Sequence, residues 1–130
     1  MKINAKRFIL FVCQSNSGRS QMAQAFFNHR HQKTKAISAG IKPDREIHPW
    51  TIKVMEEVGI DVSHQGTRLL TYELMRKADK IIIMDSGIKS YLPAEFLPKI
   101  INWRIKQPWG KPIRKVRTIR DSIEKHIKQL

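Results

Sequence analysis

Two short unbroken apolar runs constrain this chain more than any other feature. Phe8 to Val12 reads FILFV, and in Lys80 to Met84, KIIIM, four apolar residues follow the lysine. Each is too short for a buried helix and too continuously apolar to keep one face in water. That combination marks a strand covered on both sides, as in a parallel sheet. The first strand is predicted from Arg7 to Val12 and the second from Lys80 to Met84, with Asp85-Ser86-Gly87 turning after it. Shorter strands are expected at Lys35 to Ser38, ending at Ala39-Gly40, and at Ile100 to Trp103.

Between these runs the apolar spacing changes to steps of three and four. Ser20 to about His31 carries Met22, Ala23, Phe26 and Phe27 on such spacing. His48-Pro49 opens a second helix, stopped at Gly59, with Trp50, Val54 or Met55, and Val58 as its apolar stripe. Thr71 to Ala78 is a short third helix. Pro112 starts a last one, in which Ile113, Val116, Ile119, Ile123, Ile127 and Leu130 draw one apolar face. Its opposite face carries Arg114, Lys115, Arg117, Lys125 and Lys128. Lys99 to Pro112 is proline-interrupted and reads as a surface loop. Strands alternating with helices predict an α/β fold, a parallel sheet covered on both faces. The length of 130 residues predicts one domain over 1–130.

The net charge of +14 is unevenly spread. Residues 1–35 hold seven Lys or Arg and no Asp or Glu, residues 36–98 hold eight basic and nine acidic, and residues 99–130 hold ten basic and two acidic. Two basic ends attract anions, whether phosphate, another oxyanion or nucleic acid, or simply form a solvated lysine-rich surface. No nucleic-acid motif is present, so a nucleic-acid partner is not expected. No apolar run approaches the ~18 residues of a membrane span, and no small-residue cleavage site follows the charged, briefly apolar start. No membrane partner is expected. With one cysteine there is no internal disulfide, and a reducing, cytoplasmic setting is the simpler expectation.

That cysteine, Cys13, lies at the C-terminal end of the first strand, where open parallel sheets bind their ligands. The loop Gln14, Ser15, Asn16, Ser17 and Gly18 leads into the first helix. Backbone N–H groups of such a loop, with the helix N-terminus, cradle a tetrahedral anion. The same positive field favours the thiolate, the nucleophilic form of a thiol. Arg19 can offer a two-pronged fork to anion oxygens, and Ser20 can donate its hydroxyl to sulfur. Small side chains let the loop curl closely. A lone Cys after a strand is otherwise a small buried hydrophobe; the Arg-Ser pair that closes this loop tips the reading towards chemistry. The phosphate loop of nucleotide-binding proteins, G-x-x-x-x-G-K-[ST], is absent.

C-x5-R-S in CQSNSGRS resembles the low-molecular-weight protein tyrosine phosphatases and the related cysteine-dependent arsenate reductases. The similarity continues through SAGIKP, HPWTIKVMEEVGIDVSH, LTYELMRKADKIIIMD and VRTIRDSIEKHIKQL, over nearly the whole chain. It implies a four-stranded parallel sheet flanked by helices. It implies Cys13 as nucleophile, Arg19 as oxyanion ligand and Ser20 as thiolate stabiliser. Asn16 would hold the loop's strained shape, supported by Ser38 and His64.

The chain also departs from that family. The phosphatases carry a general acid in an Asp-Pro-aromatic motif; here the stretch reads Lys106-Gln107-Pro108-Trp109-Gly110, with Gln107 at the acid position. An amide cannot donate a proton in that way. Asp85 is the candidate substitute acid, and Trp109 matches the aromatic that walls the pocket. Ser20-Gln21-Met22-Ala23 is closer to the reductases, yet their two further cysteines are missing, so an external thiol or redox partner would have to resolve a Cys13 adduct. Gln24 and Arg68 stand where some reductases place acidic ligands of a potassium ion, so neither a metal nor a cofactor is expected. Three functions remain open from the residues: a phosphatase acting on a phosphorylated protein or other aryl phosphomonoester, a single-cysteine arsenate reductase, and a module that binds phosphate with little turnover.

Overall fold

The computed structural model describes residues 8–130. Arg7, expected to open the first strand, lies outside them. The strands are β1 (Phe8–Cys13), β2 (Lys35–Gly40), β3 (Lys80–Ile83) and β4 (Ile100–Asn102), and the helices are α1 (Arg19–Arg30), α2 (Pro49–Glu56), α3 (Tyr72–Lys77), α4 (Ser86–Lys89) and α5 (Ile113–Lys128). A 3-10 helix, Ala94–Lys99, precedes β4.

The four strands form one parallel sheet in the order β2-β1-β3-β4. Every residue of β1 is buried, which a strand in the middle of a covered sheet requires. Ile81, Ile82 and Ile83 beside it are wholly buried. Chain order reverses at β1: the connection to β2 leaves one way and the path to β3 the other. The right-handed crossover from β1 to β2 puts α1 on one face of the sheet, and α2 packs beside it there. α5 closes the α1 face by packing against α1 and α2. Its buried residues Val116, Ile119, Ile123 and Ile127 meet that core, whereas Leu130 at the helix end is exposed. The gap beyond the C-terminal ends of β1 and β3 is therefore the switch point where such sheets hold ligands.

Several boundaries differ from expectation. Trp50 and Val58 do not line the buried face of α2; Thr51, Val54 and Met55 do. The stretch after β3 is a helix rather than a bare turn, because the Asp85 carboxylate accepts the Gly87 N–H and caps α4. Residues 99–112 hold the expected last strand as β4, and beyond it they are not all surface loop, since Ile105 and Pro108 are buried.

Candidate active site

The loop from Cys13 to Gly18 turns its carbonyls outward, and each one has a partner. Ile41 N–H donates to Cys13 O, Lys42 N–H to Gln14 O, Asp44 N–H to Ser15 O and His48 N–H to Ser17 O, at 2.9–3.2 Å. Gln21 Nε2 donates to Asn16 O at 2.9 Å, Thr51 Oγ1 to Ser17 O at 2.8 Å, and Met22 N–H to Gly18 O at 3.0 Å. The segment 41–48 thus runs beside the loop as a strap. With the carbonyls spent outside, the loop's amides are left to face the cradle, the polarity an anion needs. Gly40 permits this approach: a Cβ there would lie 2.9 Å from Asn16 N.

Asn16 is the hub. It is fully buried and has a left-handed φ of 52°, which Asn tolerates better than most residues. Its Nδ2 donates to Ser20 Oγ at 2.8 Å and Ser38 Oγ at 2.9 Å. Its Oδ1 accepts the Arg68 N–H at 2.8 Å and Gln21 Nε2 at 3.2 Å. The backbone donor at Arg68 settles which end of the amide is oxygen. Ser38 Oγ donates a hydrogen bond to Gln24 Oε1 at 2.6 Å, so Gln24 is part of this support. Gln21 also donates to Gly66 O, and Gln65 Nε2 donates to Gln21 Oε1, both at 2.7 Å.

Cys13 is buried, and its Sγ accepts the Asn16 N–H at 3.2 Å. Ser20 Oγ lies 2.9 Å from the sulfur. Because Ser20 already accepts from Asn16, its proton is available to Sγ. A sulfur receiving two hydrogen bonds is set up as an acceptor, the role of a thiolate.

Arg19 is 5% exposed. Its Nη1 donates to Asp85 Oδ2 at 2.8 Å and to Ile105 O at 2.7 Å. Both hydrogens of that nitrogen are used, which leaves the Nε–Nη2 edge for a two-oxygen ligand. Trp109 covers the loop from the other side. A Cβ on Gly18 would stand 2.5 Å from Trp109 Cζ2, and the Trp109 ring stacks on His48 at 3.9 Å and 8°. His48 Nδ1 accepts the Trp50 N–H at 3.0 Å, and burial pushes the His48 pKa down, with Asp44 opposing the shift.

The structure thus brings Cys13, Asn16, Ser17, Gly18, Arg19, Ser20, Ser38 and Trp109 to one place. It does not bring His64 there: that side chain is exposed, and all four hydrogen-bonding positions of the Asn16 amide are already taken. Gln21, Gln24 and Gln65 supply the support expected of it. Asp85 is an anchor for Arg19 and a cap for α4. Gln107 Oε1 turns to its own loop and accepts the Trp109 N–H at 2.8 Å. Ser17 Oγ donates to Asp44 Oδ2 at 2.7 Å and sits 3.0 Å from Ser15 Oγ. Gln14 is exposed and meets the strap through its carbonyl. Among the described residues no group of three or more His, Cys, Asp or Glu side chains could hold a metal ion, and no helix is long and apolar enough to cross a membrane.

The thiol thus lies at the switch point of a parallel α/β sheet, in a loop closed by a buried arginine. The chain belongs to the low molecular weight phosphotyrosine protein phosphatase family, whose profile matches residues 8–130. It is 34% identical over 126 residues to arsenate reductase 1 of Staphylococcus epidermidis, covering 94% of this chain and 93% of that one. It is 33% identical over 125 residues to the glutaredoxin arsenate reductase of a Synechocystis species, covering 94% of each. Among solved structures, the YwlE arginine phosphatase of Geobacillus stearothermophilus superposes with a TM-score of 0.84 at 29% identity, covering 94% of this chain and 88% of that one. The family is enzymatic; these two curated relatives are arsenate reductases, and the solved structure is a phosphatase.

Proposed function

We propose that this protein is a thiol-dependent phosphatase acting on a phosphomonoester, with Cys13 as nucleophile. The observation that carries this is the pairing of an acceptor sulfur with an arginine whose Nε–Nη2 edge is unspent, at opposite ends of an amide-lined loop. The Cys13 thiolate attacks phosphorus as the ester P–O bond breaks, and the leaving oxygen takes a proton. Water then cleaves the S–P bond and releases phosphate. Arg19 and the loop amides hold the equatorial oxygens in both steps. Trp109 and His48 form an aromatic wall where an aryl leaving group would stack. With Gln107 at the acid position the leaving group draws its proton from solvent, so good leaving groups react and turnover is slow. Stopped-flow hydrolysis of p-nitrophenyl phosphate tests this reading. One equivalent of nitrophenolate per Cys13 should appear in a burst, lost in Cys13→Ser; absence of both burst and turnover would sink it.

A second reading is supported by the names of the curated relatives. Arsenate has the charge and shape of phosphate. Cys13 would displace hydroxide from As(V), and an external thiol would attack the Cys13 sulfur, forming a mixed disulfide and releasing As(III) as arsenite. A second thiol would then regenerate Cys13. The chain has one cysteine, so this chemistry needs a partner thiol, and arsenite formed with glutathione or glutaredoxin but not without either would favour it.

A further inference from the structure

We infer that Arg104 and Lys106 form a second anion subsite beside the oxyanion loop, and that the substrate is an acidic phosphopeptide. This rests on the phosphomonoester reading above and names its substrate class.

Arg104 has a φ of 53°. A residue other than glycine rarely adopts that conformation, and such outliers gather where a side chain must be aimed. It is held in place from behind: Arg104 N–H donates to Asn102 Oδ1 at 2.9 Å, and Asn102 Nδ2 donates to Ser86 Oγ at 3.1 Å. Arg104 lines three clefts, two of which also hold Ser86. One of these two, of about 270 Å³, is lined by Asp85, Ser86, Arg104, Ile105 and Lys106. The other, of about 290 Å³, adds Lys89 and Asn102 and shares Ser86 and Arg104.

The first cleft adjoins the catalytic arginine directly. Asp85 and Ile105 in its wall are the two residues that anchor Arg19 Nη1. Asp85 is the one carboxylate lining either cleft, and Arg19 already neutralises it. Among the described residues neither Arg104 nor Lys106 pairs with a carboxylate, and both are exposed. A cleft with spare cations, opening beside a phosphate site, fits a second negative group on the same substrate. A peptide with Glu or Asp next to its phosphorylated residue presents such a group beside the phosphate.

The test uses the full chain and two pentapeptides with a phosphonate mimic of phosphotyrosine, flanked by Glu in one and Gln in the other. Calorimetric titration at low salt is expected to show the Glu peptide bound about three- to tenfold more tightly, the scale of one or two exposed charge pairs. The double variant Arg104→Gln, Lys106→Gln is expected to remove that preference and leave competition by inorganic phosphate unchanged. Equal affinities in the unaltered protein, a preference that survives in the double variant, or phosphate binding with neither peptide bound would each overturn the inference. A Glu preference without any burst on p-nitrophenyl phosphate would instead overturn hydrolysis and leave the subsite standing.

Discussion

Arg19 and Asp85 meet at 2.8 Å through a single guanidinium nitrogen, and the same nitrogen also holds Ile105 O. The pair decides which edge of the arginine faces a ligand. Asp85→Ala is therefore expected to lower kcat/KM by about ten- to a hundredfold, the scale of a hydrogen bond between charged groups. The loss should be equal for phenyl phosphate and p-nitrophenyl phosphate. A general acid would be missed more by the poorer leaving group, so an unequal loss would restore Asp85 to that role.

Gln107 occupies the acid position but only caps its own loop. Gln107→Asp keeps an oxygen for the Trp109 N–H and adds a group that can carry a proton. Hydrolysis of phenyl phosphate is expected to rise about tenfold or more, within the range general acids supply. No gain over pH 5 to 7 would mean that residue 107 does not reach the leaving oxygen.

Asn16 spends every donor and acceptor of its buried amide on other groups. Asn16→Ala strands the Arg68 N–H and loosens Ser20 and Ser38 together. Urea denaturation should show a loss of about 2–4 kcal/mol. A loss below about 1 kcal/mol would mean that the loop holds its shape without this hub.

Glu57 accepts hydrogen bonds from Arg117 and Arg120, and these, Arg117 foremost, draw its pKa down to about 2 against opposing desolvation. A depressed carboxyl contributes stability above its ordinary pKa, here lost as pH falls from about 4.5 through about 2. Melting temperature followed over that window should fall more steeply in the parent than in Glu57→Gln. Parallel curves would show that the cluster contributes nothing to acid stability.

His48 works in the opposite range. Burial lowers its pKa in the fold, so the neutral ring that caps α2 contributes fully above about 6.5 and less as pH falls below it. His48→Asn keeps a capping side chain and cannot titrate. It is expected to flatten the pH dependence of Trp109 fluorescence between pH 7 and 5; an unchanged profile would rule His48 out as its source.

What the sequence disclosed follows from which interactions side chains report. β1 and β3 were legible because strands buried on both faces must be apolar throughout, and α5 because its buried stripe repeats at helical spacing. That Cys13, Arg19 and Ser20 share one loop between β1 and α1 was legible from their spacing after an apolar run. The strap was not. Its residues Ile41, Lys42, Asp44 and His48 hold the loop with backbone N–H groups, which any residue but proline supplies. Gln21 left a faint trace, a long amide directly before the apolar Met22-Ala23 of α1. α4 is four residues long, too short for any periodicity. His64 was assigned by family position, and its exposed place on the turn could not be read from that.

The ladder between strap and loop has a consequence for how the molecule opens and for how its chemistry changes by descent. The cradle's carbonyls are tied to the end of β2 and the start of α2, so the cradle cannot melt by itself. It belongs to the same cooperative unit as the sheet, and the amides of Ile41, Lys42 and Asp44 are expected to exchange hydrogen only as that unit unfolds. Gln107 sits on a separate segment that meets the cradle through the Trp109 ring and through Ile105 O, which holds Arg19. Anion capture and proton supply are thus inherited largely on separate pieces of chain, and replacing the side chain at 107 leaves the scaffold of the first in place.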